Sequence, residues 1–415
     1  MMEDVLMGFD FPIEQPAIIK VIGVGGGGGN AVTHMYKEGI RDVTFALCNT
    51  DNQALIESEV PVKIQLGKNI TKGLGAGNNP CIAKQAAEES ISDINKLLSD
   101  GTQMVFVTAG MGGGTGTGAA PIIAKTAKEM DILTVGIVTI PFLFERMPKI
   151  LQALKGVEEL RNNVDALLVL NNERLLDIHS KMSVRDAFKK ADSTLTTAAR
   201  GIAEVITIPG HINLDFADVK ATLKNGGVAV MSNGFGTGEN RVSKACEDAL
   251  NSPLLNNTDI FRAIKILFNF YCSSAKELQM NEMNEVTDFM SRFDKRIEVI
   301  WGYSIDDTLN DQVKVTILAT GFGKESIPMI DMLSAEMEAK NIEEIQLIDE
   351  YYGKGIARSL GRKAIPKPFV FKSVEQMADD EIIEALIKYP AYNRSSALMF
   401  EIARKAEDHH TSIIN

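Results

Sequence analysis

The chain has 415 residues, a formal net charge of −12, and hydrophobic and charged shares of 45% and 24%. This length accommodates two or three domains, and the composition is typical of a soluble globular protein. The negative charge argues against general nucleic-acid binding, in which lysine and arginine must neutralise phosphates.

Cysteine usage and apolar runs predict a cytoplasmic protein. The four cysteines are far apart and form no CxxC pair, which favours reduced thiols over a disulfide framework. The start, MMEDVLMGFD, lacks the basic region of a signal peptide. The longest apolar run, at 132–144, is too short to span a bilayer and contains a proline. We therefore expect no direct membrane insertion.

After a polar arm over residues 1–16, predicted strands alternate with predicted helices. Continuous apolar runs, typical of buried strands, cover residues 17–24, 42–50, 104–110, 133–141 and 166–172. Helical patterns separate them, for example over 80–98 and 150–163. This alternation predicts βαβ units in a parallel sheet, with ligands at the carboxyl ends of the strands.

A long helix is predicted after these units. Residues 183–207 have apolar side chains at helical intervals, and Ser183 and Asp186 have the spacing of a capping box. One helix of about 35 Å is therefore expected. For the polar, turn-rich stretch at 209–220 we expect a loop, and a second αβ domain begins near residue 226.

The predicted fold is α/β, with a parallel-sheet nucleotide-binding domain joined by a long central helix to a second, smaller α+β domain. We divide the chain into an arm (1–16), a nucleotide-binding domain (17–182), a central helix and loop (183–225), a second domain (226–323), a linker (324–378) and a tail (379–415). The linker is mixed, charged and weakly periodic, which predicts transient helix.

The stretch GMGGGTGTG at 110–118 lies between a predicted strand and a helical segment. A strand, a glycine loop and a helix start form a backbone cradle for an anion, usually a phosphate. The chain contains no Walker sequence GxxxxGK[ST], and this stretch contains no lysine. Backbone N–H groups, the helix dipole and bound Mg²⁺ would therefore hold the phosphate charge, with the hydroxyls of Thr115 and Thr117 as further donors.

Another glycine run, GVGGGG at 23–28, satisfies GxGxxG after a predicted strand. A Rossmann-type dinucleotide-binding oxidoreductase is therefore an alternative. Two observations count against it: Asp51 lies about eight residues beyond the usual position of the acidic residue, and a nicotinamide site does not require the stretch at 110–118. A nucleotide-binding regulator that neither hydrolyses nor assembles is a further alternative.

At these motifs the sequence resembles the tubulin superfamily of GTPases, whose signature is GGGTGTG, here at 112–118. The surrounding blocks resemble its FtsZ family, the bacterial cell-division GTPases. From about residue 17 to 323 they match in order and spacing, and they are KVIGVGGGGGNAV, NTDNQAL, TKGLGAGNNP, AGMGGGTGTGAAP, PFLFE, DAFKKAD and NLDFADV. The resemblance implies a tubulin-like fold and a GTPase that assembles into filaments, as a ring at the division site.

The resemblance also implies a site for GTP or GDP with Mg²⁺. The glycine-rich blocks would cradle the phosphates, and neighbouring strand and helix ends would hold the ribose and base. Its residues are Gly26, Gly27, Gly28, Asn30, Asn49, Gly77, Gly113, Gly114, Thr115, Gly116, Thr117, Gly118, Glu145, Lys149, Asn172, Phe188 and Asp192. The five histidines are scattered, so no metal site built from side chains is expected.

Phe188 and Asp192 are four residues apart and share one face of the long helix. Guanine presents two donors, N1–H and the exocyclic amine, which one carboxylate can accept, whereas adenine presents an acceptor at N1. Asp192 would therefore favour GTP over ATP, and Phe188 would stack on the base. The alternatives are a core aromatic at Phe188 and a solvated helix charge at Asp192.

Two positions depart from the family's pattern. Lys149 stands where the family usually has an arginine, and lysine lacks the planar five-donor fork. Asn171 replaces the proline that usually precedes the base-contacting Asn172. In that pattern Glu145 lies beside the ribose hydroxyls.

For hydrolysis, the resemblance assigns Asn213, Asp215 and Asp218 to a loop that caps the GTP of the next subunit. Its two aspartates would polarise the attacking water or its cation. At about 1.5 Å per residue, the long helix keeps Asp215 away from the nucleotide of its own subunit. Such a head-to-tail contact is heterologous and propagates into a polymer. The alternative is a plain acidic turn between domains.

The expected partners are further copies of the chain, in head-to-tail filaments, and membrane-tethering and division proteins that bind the tail. YPAYNR at 389–394 resembles the family's tail, and an aromatic turn beside a helix suits docking into a groove. Residues 395–415 extend beyond that pattern. No nucleic-acid partner is expected.

Overall fold

The computed structural model describes residues 17–40, 42–178, 182–208, 210–252, 260–294, 296–322 and 347–353. The predicted arm, most of the predicted linker and the whole predicted tail lie outside the described residues. Residues 347–353 belong to a separate unit that begins at residue 341, and they contain a helical segment over 347–352.

The described residues between 17 and 322 form eleven strands and eleven α-helices. The strands are β1 (Ile19–Val24), β2 (Val43–Asn49), β3 (Val62–Gln65), β4 (Met104–Gly110), β5 (Leu133–Ile140), β6 (Ala166–Asn171), β7 (Gly210–Ile212), β8 (Gly227–Gly236), β9 (Lys265–Cys272), β10 (Glu298–Ile305) and β11 (Val313–Thr320). The helices are α1 (Gly25–Lys37), α2 (Asn52–Glu57), α3 (Pro80–Glu89), α4 (Ile91–Leu98), α5 (Gly114–Glu129), α6 (Met147–Arg161), α7 (Asn172–Ile178), α8 (Val184–Thr207), α9 (Phe216–Leu223), α10 (Arg241–Leu250) and α11 (Glu282–Met290).

The strands form one sheet in the order β3-β2-β1-β4-β5-β6-β8-β11-β9-β10-β7. Strands β1 to β6 are parallel, and their order is that of doubly wound nucleotide-binding folds. The chain changes direction across the sheet between β1 and β4, which we call the reversal point. Ligands bind such sheets at the carboxyl ends of the strands beside this point.

The second half of the sheet is built differently. β6 pairs with β8 through only two residue pairs, Ala166 with Gly227 and Leu167 with Val228. β8, β11 and β9 then pair antiparallel, whereas β9 and β10 are parallel. The predicted combination of a parallel-sheet part and a smaller mixed part is therefore confirmed.

The long helix predicted over 183–207 is confirmed as α8. Ser183 is its N-cap, and its hydroxyl accepts a hydrogen bond from the N–H of Asp186 at 3.2 Å. The buried face of α8 includes Leu195 and Ile202, which belong to a hydrophobic cluster that also contains strand residues from both halves of the sheet. The helix is thus packed against both halves at once.

The structure differs from the prediction at two places. The helix predicted over 80–98 is interrupted, because Ser90 has φ −98° and ψ 11° and separates α3 from α4. The apolar pattern continues across this break because both helices pack against α5. Strand β3 was not predicted, since it has only four residues, all at least partly exposed, at the edge of the sheet.

The predicted loops are shorter than expected. The loop predicted over 209–220 contains β7 and the first part of α9. The stretch at 110–118 is a loop only as far as Gly113, because Gly114 begins α5, and α1 begins at Gly25. Gly25 to Gly29 of the one stretch and Gly114, Gly116 and Gly118 of the other therefore lie inside a helix.

Candidate nucleotide-binding site

Two glycine segments meet at the reversal point: the first, residues 23–30, follows β1, and the second, residues 110–118, follows β4. A Cβ on Gly25 would lie 2.8 Å from the backbone nitrogen of Gly116, and a Cβ on Gly27 would lie 3.2 Å from the Cα of Gly110. Gly25 also has a φ of +71°, which disfavours other residues. The absence of side chains therefore lets the two segments touch.

Both segments present the free N-terminus of a helix. α1 follows Val24 and α5 follows Gly113, and neither N-cap makes a side-chain hydrogen bond. The first turn of a helix has N–H groups without helical partners and carries the positive end of the helix dipole. A Cβ on Gly26 or on Gly113 would meet nothing within 4 Å, so open space faces both turns. This arrangement suits a phosphate.

The two threonines of the second glycine segment have different surroundings. The hydroxyl of Thr115 lies 2.7 Å from the hydroxyl of Thr50, at the end of β2. The hydroxyl of Thr117, which is buried, accepts a hydrogen bond from the N–H of Gly112 at 2.9 Å. Thr117 therefore stabilises its own loop, and Thr115 links the start of α5 to the residue that follows β2.

The loop around Gly77 packs against the start of α5. A Cβ on Gly114 would lie 2.9 Å from the backbone nitrogen of Asn79 and 3.1 Å from the Cβ of Ala76. Gly77 itself has a φ of +58°. A third glycine-rich stretch is thus added to the same edge of the sheet.

A cavity of about 410 Å³ opens at the first glycine segment. Gly26, Asn30 and Asn49 line it, and so does Asp192 from α8. The cavity therefore brings together four of the residues that the sequence assigned to the nucleotide. It also includes His34, which the sequence analysis did not single out.

Asp192 reaches this cavity because α8 packs against α1. Nδ1 of His34 on α1 lies 3.2 Å from the hydroxyl of Thr196 on α8, which in turn donates to the carbonyl of Asp192. Burial raises the pKa of the Asp192 carboxyl to about 6. An ionised carboxylate in this place is costly without donors, and a base that supplies N–H groups would stabilise it.

Glu145, Lys149 and Phe188 are connected through one short turn. Nζ of Lys149 donates to Oε2 of Glu145 at 2.5 Å, and Oε1 of Glu145 accepts from the N–H of Phe142 at 3.0 Å. The ring of Phe142 meets that of Phe188 edge to face, with centroids 5.2 Å apart. Phe188 is 41% exposed, so it is not a core aromatic and has a free face for a base.

Asn172 lies at the end of β6, where the sequence predicted a base contact. Its side chain is buried, yet its Oδ1 has no hydrogen-bond partner among the described residues. A buried acceptor without a donor costs about 1–3 kcal/mol. A ligand N–H would remove that cost.

The structure does not bring Asn213, Asp215 and Asp218 to this site. They lie around the start of α9, beyond the end of α8, and Asp215 and Asp218 cap that helix reciprocally through their carboxylates and N–H groups. Some 22 Å of helix separates Asp192 from Thr207. Asn213 and Asp215 are exposed to solvent.

Two negative findings apply to the described part of the chain. It contains no cluster of three or more histidine, cysteine, aspartate or glutamate side chains that could hold a metal ion. None of its helices is long and apolar enough to cross a membrane.

Family models match both halves of the sheet. The GTPase-domain model of the Tubulin/FtsZ family matches residues 18–180, and the C-terminal-domain model of the FtsZ family matches residues 227–323. The matches give no support to the Rossmann-type oxidoreductase, although β1 to β6 have the Rossmann strand order. The second glycine segment distinguishes the Tubulin/FtsZ GTPase domain from a Rossmann-type oxidoreductase.

Curated relatives match over most of their length. The chain is 51% identical to the cell division protein FtsZ of Porphyromonas gingivalis over 97% of this chain and 91% of the relative. It is 44% identical to the cell division protein FtsZ of Wigglesworthia glossinidia brevipalpis, over 80% of this chain and 86% of the relative.

Solved structures show the same architecture. An empty FtsZ dimer from M. jannaschii has a TM-score of 0.69 and 39% identity, over 78% of this chain and 96% of the other. CetZ2 from Haloferax volcanii, a protofilament with bound GTPγS, has a TM-score of 0.65 over 80% of this chain and 98% of the other. At 17% identity the CetZ2 likeness shows the fold alone.

Proposed function

Because this chain belongs to the FtsZ family, the cell-division GTPases of the tubulin superfamily, we propose that its nucleotide lies at the reversal point. GTP is hydrolysed there to GDP and phosphate, and the chains assemble head to tail. The observation that carries this proposal is the meeting of two uncapped helix N-termini beside the Asp192 cavity. The helix N-termini suit the phosphates and the Asp192 cavity suits the guanine, and a guanine nucleotide needs both side by side.

The base is recognised from α8 and β6. The Asp192 carboxylate accepts from guanine N1–H and the exocyclic amine, and Phe188 covers the base plane. Asn172 uses its unpartnered oxygen as a further base contact. Adenine offers no N1–H, so ATP is rejected because the buried carboxylate would remain unpaired.

The phosphates lie over the first turns of α1 and α5, held by backbone N–H groups. Mg²⁺ accompanies the nucleotide and neutralises phosphate charge, since the second glycine segment contains no lysine. The paired hydroxyls of Thr50 and Thr115 would be oxygen ligands available to it. Glu145, held by Lys149, faces the ribose hydroxyls.

The acidic loop of an adjacent subunit completes hydrolysis. In the capping box, Oδ1 of Asp215 accepts from the N–H of Asp218, and Oδ2 of Asp218 accepts from the N–H of Asp215. The second oxygen of each can then polarise the attacking water or its cation. The neighbouring side chain of Leu214 is buried and lies against Gly302 of β10, which holds the loop in place.

Helix α8 connects the nucleotide site to the second half of the sheet. Asp192 lies near the start of α8, and Glu204 near its end pairs with Lys314 of β11 at 2.7 Å. We expect GTP to favour the filament and GDP to weaken it through this helix. Equal assembly affinities for subunits locked with GTP and with GDP would contradict that expectation.

In the cell, we propose, the filaments form the ring at the division site. The tail over 379–415, which lies outside the described residues, binds membrane-tethering and division proteins. The support for this proposal is the sequence YPAYNR at 389–394 and the near full-length similarity to the P. gingivalis relative.

Light scattering and phosphate release, followed together with Mg²⁺ and GTP, GDP or ATP, test the function. Both signals should rise only with GTP, and phosphate release per subunit should increase with protein concentration, because half of each site comes from a neighbour. A rate per subunit that is independent of concentration would place all catalytic groups in one chain. No response to GTP would overturn the assignment of the site.

A further inference from the structure

Helix α6 packs along the second glycine segment. A Cβ on Gly156 of α6 would lie only 2.4 Å from the methyl group of Thr117, and a Cβ on Gly112 would lie 3.0 Å from the Cγ of Lys149. Glycine at 156 and at 112 thus permits a close approach between the helix and the segment. Side chains of α6 can therefore act on the backbone of that segment.

Gln152 of α6 does so directly. Its Nε2 donates to the carbonyl oxygen of Gly112 at 3.0 Å and to that of Gly113 at 3.3 Å. Both partners are acceptors only, so the side-chain NH₂ group must face them, and it has two hydrogens for the two carbonyls. One half-buried side chain thereby fixes two successive peptide groups.

Gly112 is held from its other side as well. Its N–H donates to the buried hydroxyl of Thr117 at 2.9 Å, and its φ of +98° is open only to glycine without strain. Gly113 has no side chain of its own to cap α5. Gln152 bonds both of the carbonyls that precede this N-terminus.

The planarity of the peptide group gives these bonds a consequence for the ligand. In a trans peptide the N–H of one residue points opposite to the carbonyl of the residue before it. With the carbonyls of Gly112 and Gly113 turned towards α6, the N–H groups of Gly113 and Gly114 point away from α6. A Cβ on Gly113 would meet nothing within 4 Å, so open space borders this turn.

We propose that Gln152 is a positioning residue for the phosphate site. It aims the N–H groups of Gly113 and Gly114 at the phosphates by holding the carbonyls behind them. This inference rests on the proposed function, in which the second glycine segment binds the phosphates of GTP and GDP. A segment without lysine depends on the orientation of its N–H groups, since donors fixed in advance need no reorganisation when the ligand binds.

Gln152→Leu tests this role, because leucine has a similar size and no donor. Isothermal titration with GTP, GDP and guanosine measures each affinity in the monomeric, dilute protein. We expect about a tenfold loss for GTP and GDP, the effect of one or two hydrogen bonds. Guanosine carries no phosphate, so its affinity should not change.

Two further variants make the test specific. Gln152→Glu keeps the length of the side chain but replaces its donor with a charge that repels both carbonyls and phosphates, and it should bind GTP more weakly than Gln152→Leu. Gln85→Leu makes the same change at an exposed position of α3 and should bind as the parent protein does. The urea midpoint of each nucleotide-free variant shows whether the fold is retained.

The outcomes separate this inference from the function on which it rests. If the parent protein binds GTP and the Gln152→Leu variant binds it equally well, the positioning role alone is overturned. An equal loss for guanosine and GTP also overturns it, because the effect would then belong to the whole pocket. Parent protein that binds no guanine nucleotide overturns the proposed function and the positioning role together.

Discussion

Asp192 projects from α8 into the cavity at the first glycine segment, and burial raises the pKa of its carboxyl to about 6. In the proposed site, the ionised carboxylate accepts from both donors on the guanine edge. Protonation replaces one acceptor with a donor that faces a ligand N–H. Guanine recognition therefore requires the charged form of a group whose surroundings favour the neutral form.

The affinity for GDP should consequently fall as the pH is lowered through 6. Near pH 7 most Asp192 carboxyls of the free protein are ionised, and near pH 5 most are protonated. The fraction able to bind guanine decreases about tenfold over this range, and the apparent affinity decreases with it. Fluorescence titration with labelled GDP at several pH values measures the change.

Asp192→Asn, which should bind GDP more weakly at every pH, provides the control for that titration at higher protein concentration. The terminal phosphate of the nucleotide also titrates, with a pKa near 6, and its effect remains in the variant. The difference between the two pH profiles therefore belongs to Asp192. Parallel profiles for the parent protein and the variant would contradict the assigned role.

At the scale of the element, α1 begins with a run of five glycines, which ought to weaken a helix. Tertiary packing explains part of this run. A Cβ on Gly28 would lie 2.2 Å from the carbonyl oxygen of Thr108 in β4, whereas a Cβ on Gly29 would meet nothing within 4 Å. The helix thus needs glycine at one position and tolerates other residues at the next.

Alanine at these two neighbouring positions should have opposite effects on stability. Gly28→Ala forces backbone from β4 to move and should lower the free energy of unfolding by about 2–4 kcal/mol. Gly29→Ala removes flexibility from the unfolded chain and should raise it by about 0.5–1 kcal/mol. Urea unfolding of nucleotide-free protein gives both values, and shifts in the same direction would refute the packing argument.

At the scale of the whole molecule, the proposed base-binding residue Asp192 and the proposed catalytic residues are separated along the length of α8, with the catalytic residues beyond its end. Asp192 lies beside α1, and Asp215 lies around the start of α9. In the proposed mechanism, neither group of residues hydrolyses GTP by itself. A complete site then forms only where two chains meet, which makes hydrolysis a property of the filament.

Asp215→Asn should keep GTP binding and lose turnover by about a hundredfold or more, the usual contribution of a group that positions or activates water. Asparagine retains an oxygen for the N–H of Asp218, so α9 stays capped. Phosphate release and nucleotide titration measure the two properties separately. Normal turnover in this variant would show that Asp215 is only a helix cap.

An equal mixture of Asp215→Asn and Asp192→Asn chains tests the shared site further. One variant offers an intact pocket and the other an intact loop, so about one contact in four would combine both. Phosphate release should recover to about a quarter of the parent rate. Recovery to no more than the sum of the separate variants would argue against a site built from two chains.

The sequence by itself determined the features that depend on local pattern. Continuous apolar runs predict β1, β2, β4, β5 and β6, because strands covered on both faces need apolar residues throughout. Ser183 and Asp186 predict the start of α8 because capping is a matter of spacing. The chain's glycine-rich blocks identify its family for the same reason.

Only the tertiary structure decided the features that depend on contacts between distant segments. Strand β3 forms because β2 offers an edge, and nothing in its four residues requires it. Helix α6 packs beside the second glycine segment, which buries Thr117 and brings Gln152 within hydrogen-bond distance. Helix α8 packs beside α1, and the resulting burial raises the pKa of Asp192. Burial and hydrogen-bond partners belong to the packed chain, so no local pattern carries them.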